Sequence, residues 1–114
     1  MNFADLVREA QSLPLEQVRK NTYGYFECVI PVDQEKKLNP ILERFFGPPF
    51  KPKNVAPNAQ AKIISYDYGG IEKHQVLYYT EKDGLSNCAM IWPWNDGRLA
   101  TIKVAQGEVK KDSK

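Results

Sequence analysis

Cysteine, histidine, net charge and long apolar runs are what this sequence has little of, and each shortage closes a class of explanations. Cys28 and Cys88 are the two cysteines, with no CxxC spacing, and His74 is the one histidine, so a structural zinc site lacks ligands. No metal or other cofactor is implied. Sixteen basic against fourteen acidic residues leave a net charge of +2, far from the footprint of an obligate nucleic-acid binder. No apolar run approaches the ~20 residues that a membrane span requires. Asp5 and Glu9 stand where a secretory leader needs a basic head and an apolar core. Together these shortages predict a cytoplasmic chain with reduced thiols and no membrane contact.

What is present suits one globular domain: 42% hydrophobic and 26% charged residues over 114 positions. Surface scaling lets a single core bury about two-thirds of the surface such a chain exposes when unfolded. The expected domain spans residues 1–114, with 107–114 as a disordered basic tail.

Phe3, Leu6, Val7, Ala10 and Leu13 recur at the spacing of one helical face, with Asn2 as N-cap and Asp5 three residues later. Pro14 pushes the residue before it out of the α region, while Leu15 and Val18 continue the pattern, so a bent two-part helix over residues 3–20 is expected. Residues 22–30, rich in aromatic and β-branched types and closed by Pro31, read as a strand. Asn39-Pro40 supplies an N-cap and a first-turn proline, and Leu38, Ile41, Leu42, Phe45 and Phe46 repeat at helix spacing up to Gly47. Residues 47–57 hold Pro48, Pro49, Pro52 and Pro57, too many for a helix or a central strand. They read as a stiff covering loop anchored by Phe50, with a peptide-like docking loop as the alternative.

The second half carries three hairpin signals, Gly69-Gly70, Asp83-Gly84 and Asp96-Gly97, each between β-rich runs. They predict four antiparallel strands near residues 60–68, 71–80, 85–93 and 98–105. Two-residue turns fix the register, which places Ile63, Val76, Ile91 and Ile102 in one row and Ala61, Tyr78, Ala89 and Val104 in the next. That apolar face is the expected core face, onto which the helices pack. The expected fold is therefore an α+β two-layer sandwich. A four- to five-stranded, mainly antiparallel sheet ends in a four-stranded C-terminal meander, and the N-terminal helices lie on one face. The place and direction of the first strand stay open.

The opposite face is the unusual one. Its expected rows hold Gln60, Tyr79, Cys88 and Ala105; Lys62, Leu77, Met90 and Lys103; Ile64, Gln75, Trp92 and Thr101; and Tyr66, Lys73, Trp94 and Leu99. Large apolar and aromatic groups fill about half of these positions, more contiguous apolar area than the few hundred Å² a monomer usually shows. Either the first helix or the proline-rich loop covers it, or a partner does. Tyr, Trp and Met are enriched in interface cores, and a two-fold contact needs only one self-complementary patch, so the expected occupant is a protein partner or a second copy. On that view truncating Trp92 or Met90 weakens association and spares stability.

Two further classes compete. Tyr66, Tyr79, Trp92 and Trp94 could stack nucleic-acid bases while Lys62, Lys73 and Lys103 touch phosphates, but residues 51–114 carry only ten basic groups against seven acidic ones. A hydrolase-like site would use His74, which the register sets opposite Ser65 with Asp67 and Glu72 nearby; no nucleophile elbow or oxyanion loop accompanies them. Pro93 cannot donate to a ladder, so pairing should bulge or stop near it. The resulting expectation is a small non-catalytic interaction module or accessory subunit. Strand parity puts Cys88 on the outer face and Cys28 on the core face, too far apart to bridge.

Overall fold

The computed structural model describes residues 1–109, and the chain opens with the helix its first residues encode. Helix α1 (Phe3–Gln11) starts with a capping box, in which the Asn2 side chain accepts from the Asp5 N–H and the Asp5 carboxylate accepts from the Asn2 N–H. The helix does not resume after Pro14. Strand β1 (Gln17–Thr22) follows instead, its ladder begun by the Glu16 N–H donating to the Val29 carbonyl. Leu15 still packs on the core, whereas Val18 is exposed on the strand, so the apparent helical continuation had only one partly buried residue behind it. Strand β2 (Tyr25–Pro31) and a 3-10 turn (Val32–Gln34) lead into helix α2 (Glu35–Phe46).

Helix α2 begins a turn earlier than Asn39-Pro40 suggests. Leu38, Leu42, Phe45 and Phe46 are all buried, and bringing Leu38 into that stripe requires helix before Pro40. Pro40 sits on the exposed side, where the carbonyl it leaves without a donor meets water.

Helix α3 (Ala59–Ser65) with its 3-10 extension (Tyr66–Tyr68) replaces the strand expected at 60–68. Strands β3 (Val76–Lys82), β4 (Leu85–Pro93) and β5 (Leu99–Glu108) complete a five-stranded antiparallel sheet in the order β1-β2-β5-β4-β3. The C-terminal meander thus has three strands, and the fourth neighbour is β2, antiparallel to β5. Gly107 and Glu108 belong to β5; residues 110–114 of the expected tail lie outside the described residues. Among the described residues, no helix is long and apolar enough to cross a membrane.

The register deduced from the Asp83-Gly84 and Asp96-Gly97 turns holds: Val76 pairs with Ile91, Ile91 with Ile102, Tyr78 with Ala89, and Ala89 with Val104. Cys28 and Phe26 extend these rows on the far side of β5, opposite Ile102 and Val104, and no strand stands beside Val76 and Tyr78 where Ile63 and Ala61 were expected. On this face α1 and α2 bury Leu6, Ala10, Leu38 and Leu42 against Phe26, Tyr78, Ile91 and Ile102. Cys28 lies in that cluster and Cys88 in the one behind the sheet, both buried and neither in a disulfide.

A second apolar cluster lies behind the sheet, formed by Ala61 and Ile64 of α3, Ile71, and the outward side chains Leu77, Cys88, Met90 and Ala105. The fold therefore has N-terminal helices on one face and a third helix on the other. The proline-rich segment is a cover. Phe50 meets the Tyr79 ring edge-on, and Lys51 forms an isolated antiparallel bridge with Leu77 on the outer edge of β3. Lys51 is itself buried, and its ammonium donates to the carbonyls of Pro52, Lys73 and Gln75.

Burial holds several acidic protons in place, and this fixes an alkaline limit. The Tyr78 and Tyr79 phenols are pushed up to about 12 by burial, with Glu43 also raising the first and the Glu81 hydrogen bond the second. Burial likewise pushes the Cys28 thiol up to about 12. Groups whose folded pKa is raised stabilise fully below their unfolded pKa and lose that contribution as pH rises through the folded one. Stability should thus fall between about pH 9 and 12, first through Cys28 and then through the tyrosines. Lys51 and Lys103, lowered mainly by burial, act with the opposite sign below their ordinary 10.5, so the fall steepens above that pH. Between pH 8 and 12 the loss from Tyr78 should come to about 2 kcal/mol, read as the difference between thermal melts of the wild type and Tyr78→Phe; identical profiles would contradict its burial.

Candidate binding site

Helix α3 decides what the outer face can do. Asn58 caps it by accepting from the Ala61 N–H at 2.8 Å, and Ala61, Ile64 and Ser65 turn inward at helical spacing. The alternation that resembles a strand at 60–68 is overridden by this cap. Gly69-Gly70 ends the helix rather than turning a hairpin: the Gly70 N–H donates to the Ser65 carbonyl, with Gly69 at φ 105° and Gly70 at φ 86°. Ile63, expected in the core row, instead lies on the outward side of α3, 46% exposed.

Covering by α3 redistributes the expected contact residues. Leu77 and Met90 are fully buried beneath it, and Ile64 faces inward among them. Tyr79 and Trp92 are half-buried at the edge of that cluster. Tyr66 and Lys62 stand on the exposed side of the helical segment, and Lys73 lies in the exposed turn before β3. Leu77 and Met90 therefore have no surface to offer a partner, because the chain itself fills that place.

The outer aromatic rings already have intramolecular partners. Lys103 sets its ammonium 3.5 Å from the Trp92 ring centre and donates to the Tyr68 carbonyl at 2.7 Å. Arg19 lies over Trp94, whose indole N–H donates to the Thr101 hydroxyl at 2.8 Å. Tyr25 stacks on Tyr68, and Phe50 meets Tyr79. Base stacking on these faces would require displacing cations and rings already in contact.

No Ser–His pair forms. Ser65 is buried and its hydroxyl donates to the Ala61 carbonyl at 2.8 Å. His74 sits in an exposed turn with Nδ1 3.8 Å from a Glu72 carboxylate oxygen. The turn that was to bring His74 opposite Ser65 is a helix end, so the two side chains belong to different elements. Among the described residues no group of three or more His, Cys, Asp or Glu side chains could hold a metal ion.

A cleft of about 430 Å³ remains between α3 and the sheet end near the β3–β4 turn, within the size range of ligand sites. Ile63, Ile64, Tyr68 and Tyr79 line it together with Asp67, Glu81 and Glu108. The Tyr79 hydroxyl donates to Glu81 at 2.6 Å. Sequence reasoning put Ile63 in the core row and Asp67 beside His74 and did not single out Glu108; the signal that could have placed the first two on a helix is Asn58 followed by the helix formers Ala59, Gln60 and Ala61.

Gly69 lets the helix end approach the sheet. A Cβ there would stand 2.5 Å from Trp92 Cη2 and 3.3 Å from Lys103 Nζ, whereas one at Gly70 would meet open space. Gly69→Ala should cost about 2–3 kcal/mol through backbone strain and the tryptophan clash, and Gly70→Ala about 1–2 kcal/mol through backbone strain alone. Equal losses in urea melts would contradict the packing of α3 on Trp92.

Comparisons with protein-family models, curated proteins and solved structures return no match for this chain.

Proposed function

We propose that the chain is a small non-catalytic binding module that docks a protein partner on the outward side of α3 and in the cleft beside it. The observation that carries this reading is the pair Ile63 and Tyr66, 46% and 79% exposed and three positions apart on one helical face, of which Ile63 also lines the cleft. Single exposed apolar residues are ordinary, but two side by side, one of them lining a concavity, are the pattern of a contact site. The cover on the remaining outer face supports the same choice, since Tyr66 is the exposed one of the four aromatic residues expected there, while Tyr79, Trp92 and Trp94 are half-buried.

The test is a photo-crosslinking amino acid at position 66, with the chain recovered from cells. A discrete heavier adduct should form and should disappear in the Ile63→Ser variant, whose thermal midpoint should stay within about 2 °C because Ile63 is half exposed. Sedimentation of the purified chain separates a second copy from a different protein as the partner. Absence of any adduct at position 66, with a monomer in sedimentation, overturns the proposal.

A further inference from the structure

The chain contains two Asp-Gly sequences, Asp83-Gly84 between β3 and β4 and Asp96-Gly97 between β4 and β5, both exposed. Aspartate before glycine is the pair in which a peptide nitrogen most readily reaches the neighbouring carboxyl carbon, because glycine brings no side chain to obstruct the approach. The two turns treat that reaction differently.

At Asp96-Gly97 both reacting groups are engaged. The Gly97 N–H donates to the Trp94 carbonyl at 3.1 Å, while the Asp96 carboxylate accepts from the Arg98 N–H at 2.9 Å and lies 3.5 Å from Nε of the same arginine. The bond from the Arg98 N–H also holds this carboxyl below its usual range, away from the protonated form that can lose an oxygen. At Asp83-Gly84, among the described residues, no hydrogen bond or ion pair engages the aspartate carboxylate or the glycine N–H. Both residues stand at the tip beyond the Lys82–Leu85 pair, and a Cβ at Gly84 would meet nothing within 4 Å. Asp83 lies at φ 55° and Gly84 at φ 78°, the backbone of a two-residue hairpin turn. A side chain holds the left-handed conformation at a cost, so the rotation of Asp83 that ring closure requires relieves strain.

We propose that Asp83-Gly84 is a modification site, at which the backbone isomerises spontaneously to an isoaspartyl linkage through a cyclic imide. The Gly84 nitrogen gives up its proton and attacks Cγ of the protonated Asp83 carboxyl. The N–Cγ bond forms, the Cγ–O bond breaks, and the hydroxyl departs with the nitrogen's proton as water. Water then adds to one of the imide carbonyls: at Cγ it restores aspartate, and at the main-chain carbonyl it leaves the chain running through Cβ and Cγ with a free α-carboxylate. Nothing is oxidised or reduced, and mass is unchanged. The product adds one methylene to the backbone of the turn, beside the Lys82–Leu85 pair, while β4 further in is held on its other side by β5. This site is independent of the docking role of α3.

Each hydrogen bond that must open before ring closure slows it about fivefold, so the two at Asp96-Gly97 should hold that site about 25-fold below Asp83-Gly84. The experiment incubates the full chain at neutral pH and physiological temperature, folded and, in parallel, in concentrated urea. Endoproteinase Asp-N cuts before aspartate and not before isoaspartate, so each site reports its own conversion as an uncut junction of unchanged mass. Enzymatic methylation of the new α-carboxylate with labelled S-adenosylmethionine measures the total. In the folded chain the uncut junction should accumulate at Asp83 while Asp96 stays cut, and urea, which opens both turns, should bring the two rates together. Asp83→Glu, whose longer side chain closes a less favourable ring, should remove the folded chain's methyl acceptor. Equal conversion at the two sites in the folded chain, or conversion at Asp96 first, overturns the proposal. Conversion at Asp83 in urea alone also overturns it, since the closed turn would then protect the bond.

Discussion

Met90→Ala should lower stability by about 3 kcal/mol and leave the association state of the chain unchanged. Met90 is fully buried, set in the ladder between Leu77 and Lys103, and roofed by the cluster that Ala61 and Ile64 contribute from α3. Truncation removes a long apolar side chain and opens a cavity that the sheet below and the helix above are both too constrained to close. For a chain of this size the loss corresponds to a fall of roughly 10 °C in the thermal midpoint. Trp92→Ala should act in the same direction, because its ring supports both Gly69 and the Lys103 ammonium. The sequence alone pointed the other way, to loss of association with stability kept, because an open aromatic face was the premise. Melting curves and sedimentation velocity on the same two variants distinguish the outcomes.

Lys51→Met should cost about 3 kcal/mol, although lysine and methionine have similar stems. The ammonium of Lys51 donates to three carbonyls, those of Pro52, Lys73 and Gln75, and its own main chain pairs with Leu77 in both directions at 3.0 Å. One side chain thus ties the proline-rich segment to the turn before β3. Methionine keeps the packing and leaves three buried acceptors without a donor, which is the costly side of hydrogen-bond removal. Arginine is no substitute, since a planar fork cannot converge on carbonyls gathered around a single nitrogen. Hydrogen exchange should show the Asn54 N–H, bonded to the Lys73 carbonyl at 2.9 Å, losing protection first. An unchanged melting point in Lys51→Met would mean that the buried ammonium holds nothing together.

How much of this was legible in the sequence depends on how local each signal is. The Asn2 cap, the Asp83-Gly84 turn and the pairing of Val76, Ile91 and Ile102 follow from neighbours in sequence, and all three hold. The strand expected at 60–68 fails because its alternation and its helical spacing compete. Ile63, Ser65 and Asp67 satisfy one pattern, Ala61, Ile64 and Ser65 the other, and the Asn58 cap with a buried niche over Met90 and Leu77 selects the helix. The edge strand β1 escaped notice for the opposite reason. All six of its residues are exposed, so no apolar alternation marks it, and Arg19, Lys20 and the bulge between Val18 and Lys20 are the devices that keep such an edge from pairing further. Site residues from three distant segments meet only because α3 crosses the sheet, which no local pattern encodes.

Methyl-resolved NOE spectroscopy on the full chain most directly tests whether the chain covers its own aromatic face. The fold places the Ile64 and Ala61 methyls in one cluster with those of Leu77, Met90 and Ala105, while residues 59–65 show helical amide contacts and Ile63 gives no contact to Val76, Ile91 or Ile102. Observation of that network confirms the cover and leaves Ile63 and Tyr66 as the accessible patch. Cross-strand contacts between residues 60–68 and 71–80, with Ile63 beside Val76 and Met90 free of any helix, would contradict it and restore the open face.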